Sequence, residues 1–392
     1  MTRRPLLLLP AAALALACAL PAAAEPVKIG MITTLSTGAG YLGEDVRDGF
    51  LLAMKEEGGR LGGTDVELIV EDDGLNPGTA KQLADRLLEQ EKVELMTGVI
   101  FSNIAPVVAP LTIRSGGIYI SPNAAPSTFA GKNCDQDYFA VAWQNDSLHE
   151  TAGIYANELG YKSAYLIAPN YQAGKDSIAG FKRYFKGEIK GELFTKLGQT
   201  DYAAEIAKLR AADPEMLFTF LPGGMGINFL KQYSQAGLTD QIPLVGSIAT
   251  MDPRIIAAIG DAALGVRSSS HWNADLDNPA NKAFVANFTE TYGRPPTPYA
   301  SQGYDTARLI ASALKATGGK VVADKDAFRA ALRAGKFDSV RGSFAFNNNQ
   351  HPINDWYGLV VEKGADGAPV NRTVKMIAPG HEDAYAAECA LQ

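Results

Sequence analysis

The fold class is decided by residues 27–73, VKIGMITTLSTGAGYLGEDVRDGFLLAMKEEGGRLGGTDVELIVEDD. The apolar run from Val27 to Thr33 is typical of a buried strand, and Leu42 to Glu56 has the apolar spacing of an amphipathic helix. A second strand pattern, Val66 to Val70, follows the helix. Strand, helix and strand in this order form a βαβ unit, which predicts a parallel sheet covered by helices.

The same alternation continues along most of the chain and restarts near residue 164. A helix is predicted from Pro77 to about Gln90, and strands are predicted at Leu95 to Ile100 and Ile118 to Ile120 with a helix between them. The second series of strands is predicted at Ala164–Ala168, Glu192–Thr195, Met216–Phe220, Leu244–Gly246 and Val266–Ser270. The repetition predicts two α/β lobes lying side by side.

Helical patterns also separate the strands of the second series and follow them. They are predicted at Gly174–Tyr184, Ala203–Ala211, Gly226–Gln235, Pro253–Ile259, Pro279–Tyr292, Tyr304–Ala316 and Lys325–Ala334. Residues 343–377 have the pattern of two strands joined at Gly364–Gly367, which is a hairpin turn signal. We therefore expect a tail of helices and a hairpin after the second sheet.

Length, composition and charge exclude several classes of protein. The 392 residues are too many for one ordinary core and predict two domains. Hydrophobic residues make up 46% and charged residues 20%, which is the balance of a globular chain. With a net charge of −7 there is no basic field for a polyanion, so nucleic-acid binding is excluded. Three cysteines and four histidines leave little material for a metal site, and we predict neither a metal nor a cofactor.

The first 24 residues have the features of a secretory signal peptide. Two arginines precede an apolar stretch, Leu6 to Leu20, which is too short to span a bilayer comfortably. Residues 22–24 then give an A-x-A cleavage pattern, so we predict export with cleavage near Ala24. The alternative is a lipid anchor at Cys18, but the usual leucine three residues before such a cysteine is missing.

Export changes the interpretation of the cysteines. Removal of the signal peptide leaves Cys134 and Cys389 in an oxidising compartment. The simplest interpretation is a disulfide that fastens the C-terminal tail to the body of the protein. The alternative is a pair of unpaired buried thiols. No histidine is placed by a known motif to activate either cysteine, so a catalytic thiol is not predicted.

The sequence contains no pattern that is typical of catalysis. Residues 38–43, GAGYLG, match the G-x-G-x-x-G pattern of dinucleotide-binding loops. Two features disfavour dinucleotide binding here. Four residues separate the motif from the preceding strand, and the nearest acid at a strand end, Glu71, lies too far beyond the motif. Such a loop at a helix N-terminus can still offer N–H groups to a small anion or to the edge of a ligand. Metal-binding histidine pairs and the G-x-S-x-G elbow are missing, and we predict no catalytic residues and no enzymatic activity.

Ligands of open α/β sheets bind at the carboxyl ends of the strands, so the loops there carry the function. Ser102 follows one strand, and together with the backbone N–H groups of Ala124 and Ala125 it could hold a carboxylate. An N-cap is the alternative role of Ser102. Trp143 and Trp272 lie near the presumed crossings between lobes, where they could form hinge core or stack on a flat ligand.

These residues, in this order, resemble a known family. The stretches 29–43, 98–110, 121–126, 174–181 and 298–307 are similar to those of type I periplasmic substrate-binding proteins of the branched-chain amino acid ABC importer class. The resemblance implies two Rossmann-like lobes with parallel sheets, joined by three crossings and closing on a ligand. It also implies a periplasmic location, an inner-membrane ABC permease as partner, and a monomer. The implied segments are a signal peptide at 1–24, the first lobe at 25–142 and 271–345, and the second lobe, with the hairpin and tail, at 143–270 and 346–392.

The chain departs from the amino-acid binders of this family in two places. The loop Ser247 to Thr250, where an acid for the substrate ammonium is expected, has no carboxylate, and Ala125 is followed by Pro126 in place of the usual threonine. An unpaired ammonium in a dry cleft costs several kcal/mol, so the missing acid disfavours an amino acid. Asp252 could compensate, although it has the pattern of a helix start.

The segments around Trp143 and Tyr171, and the two cysteines, resemble relatives that bind aromatic acids. We therefore predict a small carboxylate as ligand, favouring benzoate, 4-hydroxybenzoate or a hydroxycinnamate, with Asn145 or Thr250 meeting a para hydroxyl. The alternatives are a branched-chain or other amino acid or amide, and a ligand sensor that uses the same clamp. The predicted ligand-binding residues are Tyr41, Ser102, Asn123, Ala124, Ala125, Trp143, Asn145, Tyr171, Gly224, Met225, Thr250 and Trp272.

Overall fold

The computed structural model describes residues 25–391. The predicted signal peptide and Cys18 lie outside this range. Between residues 25 and 391, no helix is both long and apolar enough to cross a membrane.

The strands alternate with helices as the patterns predict. The strands are β1 Val27–Thr33, β2 Arg60–Leu61, β3 Thr64–Asp72, β4 Leu95–Thr97, β5 Ile118–Ser121, β6 Tyr138–Ala140, β7 Ser163–Pro169, β8 Glu188–Thr195, β9 Met216–Thr219, β10 Leu244–Ser247, β11 Arg267–Ser270, β12 Ala345–Phe346, β13 Pro352–Lys363 and β14 Pro369–His381. The helices are α1 Gly40–Glu56, α2 Pro77–Glu89, α3 Ala105–Arg114, α4 Asn145–Glu158, α5 Gln172–Tyr184, α6 Ala203–Ala212, α7 Gly224–Gln235, α8 Pro253–Ile259, α9 Pro279–Tyr292, α10 Pro298–Thr317 and α11 Lys325–Ala334.

The two lobes have separate sheets built on the same plan. The first sheet has the order β2-β3-β1-β4-β5-β6, and all of its pairs are parallel except β2 with β3. In the second sheet the parallel strands run β8-β7-β9-β10-β11. In both lobes the strand order reverses beside the first strand of the lobe, and such switch points place a crevice at the carboxyl ends of the strands. The prediction of two α/β lobes with parallel sheets is confirmed.

The predicted hairpin completes the second sheet. Strand β13 pairs antiparallel with β11, and β14 pairs with β13 as far as His381. The turn is closed by bonds from Gly364 N–H to the Ala368 carbonyl (2.7 Å) and from Gly367 N–H to the Gly364 carbonyl (3.0 Å). Helices α9, α10 and α11 return to the first lobe, where their apolar side chains share a core with β1 and α1.

Helix α4 and the short strands β2, β6 and β12 are elements that the sequence patterns did not reveal. Every residue of α4 from Asn145 to Gly153 is buried, and this stretch includes Asp146, His149 and Glu150. A helix that is buried all round, with polar residues inside, has no apolar stripe to recognise. Strand β6 has only three residues, which is too short for a period to show.

The chain passes between the two sheets three times. It leaves β6 for α4, leaves β11 for α9, and returns to the second sheet at β12. The proposed boundaries at 142/143 and 270/271 fall in the first two passages. The third, at 345/346, would divide β12, which pairs with β13 of the second sheet.

The C-terminal tail is fastened by the predicted disulfide. Cys134 and Cys389 are bonded, with their Cα atoms 5.7 Å apart. The Nδ2 group of Asn348 donates to the Ala386 carbonyl (3.0 Å), and the hydroxyl of Tyr385 donates to Asp146 Oδ2 (2.8 Å). The tail is therefore held to the body of the protein both covalently and by polar contacts.

Candidate functional site

An enclosed cavity lies between the lobes, at the carboxyl ends of strands from both sheets. It has about 380 Å³ of space that is not filled by atoms, and part of this space is open to solvent. The first lobe contributes the segments after β1, β4 and β5 and one side chain from α10; the second contributes α4 and the loops after β7, β9 and β10. The lining residues are Leu42, Ile100, Phe101, Ser102, Asn123, Trp143, Asn145, Leu148, His149, Tyr171, Ala173, Phe220, Pro222, Ala249 and Tyr299.

Asn145 links the two sides of this cavity. Its Nδ2 group donates to Ser102 Oγ and to Asp176 Oδ2, both at 3.0 Å, and its Oδ1 accepts from the Ala125 N–H at 3.2 Å. Ser102 Oγ accepts the bond from Asn145, so its own proton remains available for a ligand. The hydroxyl of Ser102 is therefore placed to donate to an oxygen in the cavity.

The side chain of Asn123 is fixed by one hydrogen bond, and its other polar atom has no hydrogen-bond partner among the described residues. Its Nδ2 donates to the Ile100 carbonyl at 2.8 Å, while its buried Oδ1 has no hydrogen-bond partner among the described residues. A buried acceptor without a partner costs about 1–3 kcal/mol. Its place in the cavity lining allows a ligand donor to recover part of this cost.

Aromatic rings form much of the cavity wall. The ring of Tyr171 lies parallel to that of Phe220, with centroids 6.4 Å apart, and lies 6.0 Å from Phe101. Trp143 packs edge-on against His271 at 5.0 Å. Burial raises the pKa of Tyr171 above its usual value, so its phenol is neutral at physiological pH. These rings can contact a flat ligand from more than one side.

The two lobes touch each other directly around the cavity. The Gly224 N–H donates to the Gly38 carbonyl at 3.0 Å. A Cβ atom on Gly224 would lie 2.8 Å from that carbonyl oxygen, so glycine is required for the close approach. The hydroxyl of Ser127 also donates to Asp176 Oδ1 at 2.7 Å across the gap. These contacts define a closed arrangement of the lobes.

A second group of interlobe contacts involves Asp252, the acid considered as a partner for an ammonium. Its Oδ1 caps α8 by accepting from Arg254 N–H (2.8 Å) and Ile255 N–H (3.1 Å), and its Oδ2 accepts from the Tyr41 hydroxyl (2.6 Å). The guanidinium of Arg254 lies over the Tyr41 ring and pairs with Asp45 at 2.8 Å. Asp252 is occupied as a helix cap and an interlobe link, and it is not among the residues that line the cavity.

This position makes closure sensitive to pH. Burial, with a smaller contribution from Asp45, raises the pKa of Asp252 to about 7 in the closed arrangement. Opening would return water to the carboxyl group and lower its pKa. The closed state therefore binds the proton more tightly, and its stabilisation is present at low pH and is lost as pH rises through about 7. We expect ligand affinity to increase up to about tenfold between pH 8 and pH 6.

Titration calorimetry at pH 6, 7 and 8 measures this effect. Asp252→Asn is the matched control, because asparagine also caps helices and does not titrate. We expect a flat profile for the variant above pH 6. An equal slope in both proteins would show that another group is responsible.

Five of the predicted ligand-binding residues are brought together at the cavity: Ser102, Asn123, Trp143, Asn145 and Tyr171. Two others were expected to offer free N–H groups, and this expectation is wrong in the closed arrangement. The Ala124 N–H donates to the Val99 carbonyl of its own lobe and the Ala125 N–H donates to Asn145 Oδ1 of α4, each at 3.2 Å, so both groups already have partners within the protein.

Trp272 and Thr250 are not cavity residues. The indole Nε1 of Trp272 donates to Asn281 Oδ1 at 2.7 Å, and its ring packs against Phe284 in the core of the first lobe. The hydroxyl of Thr250 donates to the Thr219 carbonyl at 2.8 Å. Each of these polar groups has a partner within the protein, so the hinge-core alternative applies to Trp272.

The remaining three predicted residues lie at the interlobe contact beside the cavity. Tyr41 forms the link to Asp252 described above. Gly224 and Met225 line a second, more open space between the lobes, with about 670 Å³ that is not filled by atoms, which shares Phe101 and Pro222 with the first cavity. These three residues contact the opposite lobe, and contacts between distant segments cannot be predicted from a local sequence pattern.

His149 and Tyr299 are the main polar lining residues that were not predicted. His149 lies four residues after Asn145, so the two share one face of α4. Recognition of that helix would have revealed it. Tyr299 lies in the stretch 298–307, which was used for the family resemblance but not for the site.

Two similarly wound α/β lobes, three crossings and an enclosed interlobe cavity define a class of protein, the two-lobed ligand-binding clamp. The family comparison agrees with this class: residues 26–367 match the model of the periplasmic binding protein family, and the chain belongs to this family.

Solved structures and a curated relative extend the comparison. The chain is similar to a solute-binding protein of an ABC transporter from R. palustris in complex with benzoate, with a TM-score of 0.88, 29% identity, and coverage of 94% of this chain and 100% of that one. A second R. palustris solute-binding protein, in complex with 4-hydroxybenzoate, has a TM-score of 0.83 and 27% identity over 91% and 98% of the two chains. The Leu/Ile/Val-binding protein homolog 6 of Brucella melitensis is 27% identical, over 90% of this chain and 92% of the relative.

The resemblance seen in the sequence is therefore confirmed at the level of the family. The chain is a solute-binding protein of the ABC-transporter class, and this family consists of binding proteins that interact with membrane permeases rather than of enzymes.

Proposed function

We propose that this protein captures an aromatic carboxylate between its two lobes and delivers it to an inner-membrane ABC importer. One observation carries the choice of ligand: among the described residues that line the cavity, aromatic and aliphatic side chains surround a few polar groups, and none carries a charge at neutral pH. His149 belongs to this neutral set, because burial lowers its pKa to about 3.

An amino acid fits this lining poorly. Its ammonium group would enter a closed cavity without a carboxylate to pair with, which costs several kcal/mol. Asp252 is committed to α8 and Tyr41. Asp176 accepts from Ser127, Gln172 and Asn145, and it is not among the lining residues.

An aromatic acid uses the groups that are present. Its ring would lie against Tyr171, Phe220 and Trp143. Its carboxylate would accept from the hydroxyl of Ser102, whose oxygen is held in place by the bond from Asn145. A neutral donor suffices, because the carboxylate itself is charged and hydrogen bonds to a charged acceptor are about twice as strong as neutral ones. Relatives of known structure were crystallised with benzoate and 4-hydroxybenzoate, which supports the proposal.

A branched-chain amino acid is the second candidate, because the Brucella melitensis relative carries that class in its name. Thermal unfolding of ligand-stripped protein separates the two. The panel is benzoate, 4-hydroxybenzoate, coumarate, cyclohexanecarboxylate, leucine and valine. A ligand at about a thousandfold above its dissociation constant adds about 4 kcal/mol, or a shift of about 5 °C for a chain of this length.

We expect shifts with the aromatic acids and none with leucine or valine. Shifts with leucine or valine alone would contradict the proposal. The variant Ser102→Ala should weaken benzoate binding about tenfold to a hundredfold, because it removes a hydrogen bond to a charged group. Thr250→Val is the matched control, since its hydroxyl bonds the backbone outside the cavity, and it should leave the affinity unchanged. The proposed monomeric state is checked by light scattering of the same samples.

A further inference from the structure

The cavity lining contains a histidine that has no role in holding a carboxylate. His149 lines the cavity and is 1% exposed. Its Nδ1 atom is buried and has no hydrogen-bond partner among the described residues. A buried polar atom without a partner costs about 1–3 kcal/mol, whereas a phenylalanine of similar shape would cost nothing in an apolar cavity. A polar group of a ligand in the cavity would recover this cost.

The ring of His149 is fixed in orientation by its neighbours. It packs edge-on against Phe220, with centroids 4.7 Å apart and planes at 67°, and against Phe218, at 5.7 Å and 85°. Both rings belong to the second lobe, as α4 does. A fixed ring presents its nitrogens in fixed directions, which is what selective hydrogen bonding to a ligand requires.

The imidazole is also neutral, because burial lowers its pKa to about 3. A neutral imidazole has one donor and one acceptor nitrogen. A phenolic hydroxyl group likewise both donates and accepts. A carboxylate only accepts, and it would leave the acceptor nitrogen of His149 unpaired. The chemistry of this side chain therefore matches a hydroxyl group better than a second acid.

The spacing to the carboxylate end of the cavity fits a para-substituted ring. Asn145, which bonds Ser102, lies four residues before His149 on the same face of α4. At 1.5 Å per residue, the two side chains are separated by about 6 Å along the helix axis. That length is close to the distance between the carboxyl carbon and the hydroxyl oxygen of 4-hydroxybenzoate.

We infer that His149 is a specificity-determining residue, which hydrogen-bonds a para hydroxyl group of the ligand while Ser102, positioned by Asn145, holds its carboxylate. This inference rests on the proposed function. It narrows the preferred substrate class from aromatic acids in general to para-hydroxylated aromatic acids.

The first test uses the unaltered protein and three ligands of similar shape. Calorimetric dissociation constants are measured for 4-hydroxybenzoate, 4-methylbenzoate and benzoate. We expect 4-hydroxybenzoate to bind at least tenfold more tightly than 4-methylbenzoate, which fills the same volume without a hydrogen bond. Equal affinities for these two would overturn the inference. Failure of all three to bind, with binding of leucine instead, would refute the proposed function itself.

The second test uses His149→Phe, which keeps an aromatic ring against Phe218 and Phe220. We expect this variant to lose at least tenfold in affinity for 4-hydroxybenzoate, and its affinity for benzoate to change by less than about threefold. Ser102→Ala is the matched variant, because it should weaken both ligands by the same factor. Equal weakening of both ligands by His149→Phe would show that His149 only maintains the shape of the cavity.

Discussion

Replacement of Arg341 by methionine should destabilise the protein by about 3–5 kcal/mol, because it leaves a charge buried without its partner. The residue is 7% exposed, and its guanidinium donates from Nε to Asp305 Oδ2 at 3.1 Å. From Nη1 it also donates to the Ala142 carbonyl (3.0 Å) and to Asn354 Oδ1 (3.1 Å). Ala142 lies in the first passage between the lobes, and Asn354 follows the third. Because Asp305 belongs to α10, the side chain of Arg341 connects both passages to that helix.

The free energy of unfolding in urea measures the effect, and the expected loss lowers Tm by about 5 °C. Asp305→Leu together with Arg341→Met should recover much of the stability, since an apolar pair often replaces a buried ion pair without loss. Lys182→Met is the matched control: its partner Glu192 is on the surface, both side chains are partly exposed, and the expected loss is below about 1 kcal/mol. A similar small loss for Arg341→Met would show that water reaches Asp305 in solution.

The second large effect is expected from removal of the disulfide. Cys134 and Cys389 are 255 residues apart in sequence, and in the chain-entropy model a loop of this length restricts the unfolded chain by roughly 5 kcal/mol. Contacts of the tail, such as the bond from Tyr385 to Asp146, remain in the reduced protein and do not compensate, because they exist in both forms. We expect Cys134→Ala with Cys389→Ala to lower Tm by about 5 °C.

Each single cysteine variant should be as destabilised as the double variant, because either change breaks the same bond. Mass spectrometry under native and reducing conditions should show a gain of two hydrogens on reduction of the unaltered chain. Additive losses from the two single variants would indicate that each cysteine contributes through packing. An unchanged mass on reduction would contradict the bond itself.

The sequence by itself determined the fold class and the covalent link. Strands such as Val27–Thr33 and helices such as Pro253–Ile259 have the predicted bounds, since a parallel strand is an apolar run and a surface helix has an apolar stripe. The disulfide followed from two cysteines in an exported chain. Ser102 was found because a strand end in an open α/β sheet has a known place in the fold.

Only the tertiary structure decided which of the candidate residues face the cavity. Trp143 and Trp272 are equivalent in sequence context, yet one lines the cavity and the other bonds Asn281 within a core. The buried helix α4 brings in His149, and the closing of one lobe on the other gives Asp252 its place at the interface. A local sequence pattern shows which residues of one helix or strand are buried. The partners of a buried polar group come from distant segments, so its role is fixed only when the lobes meet.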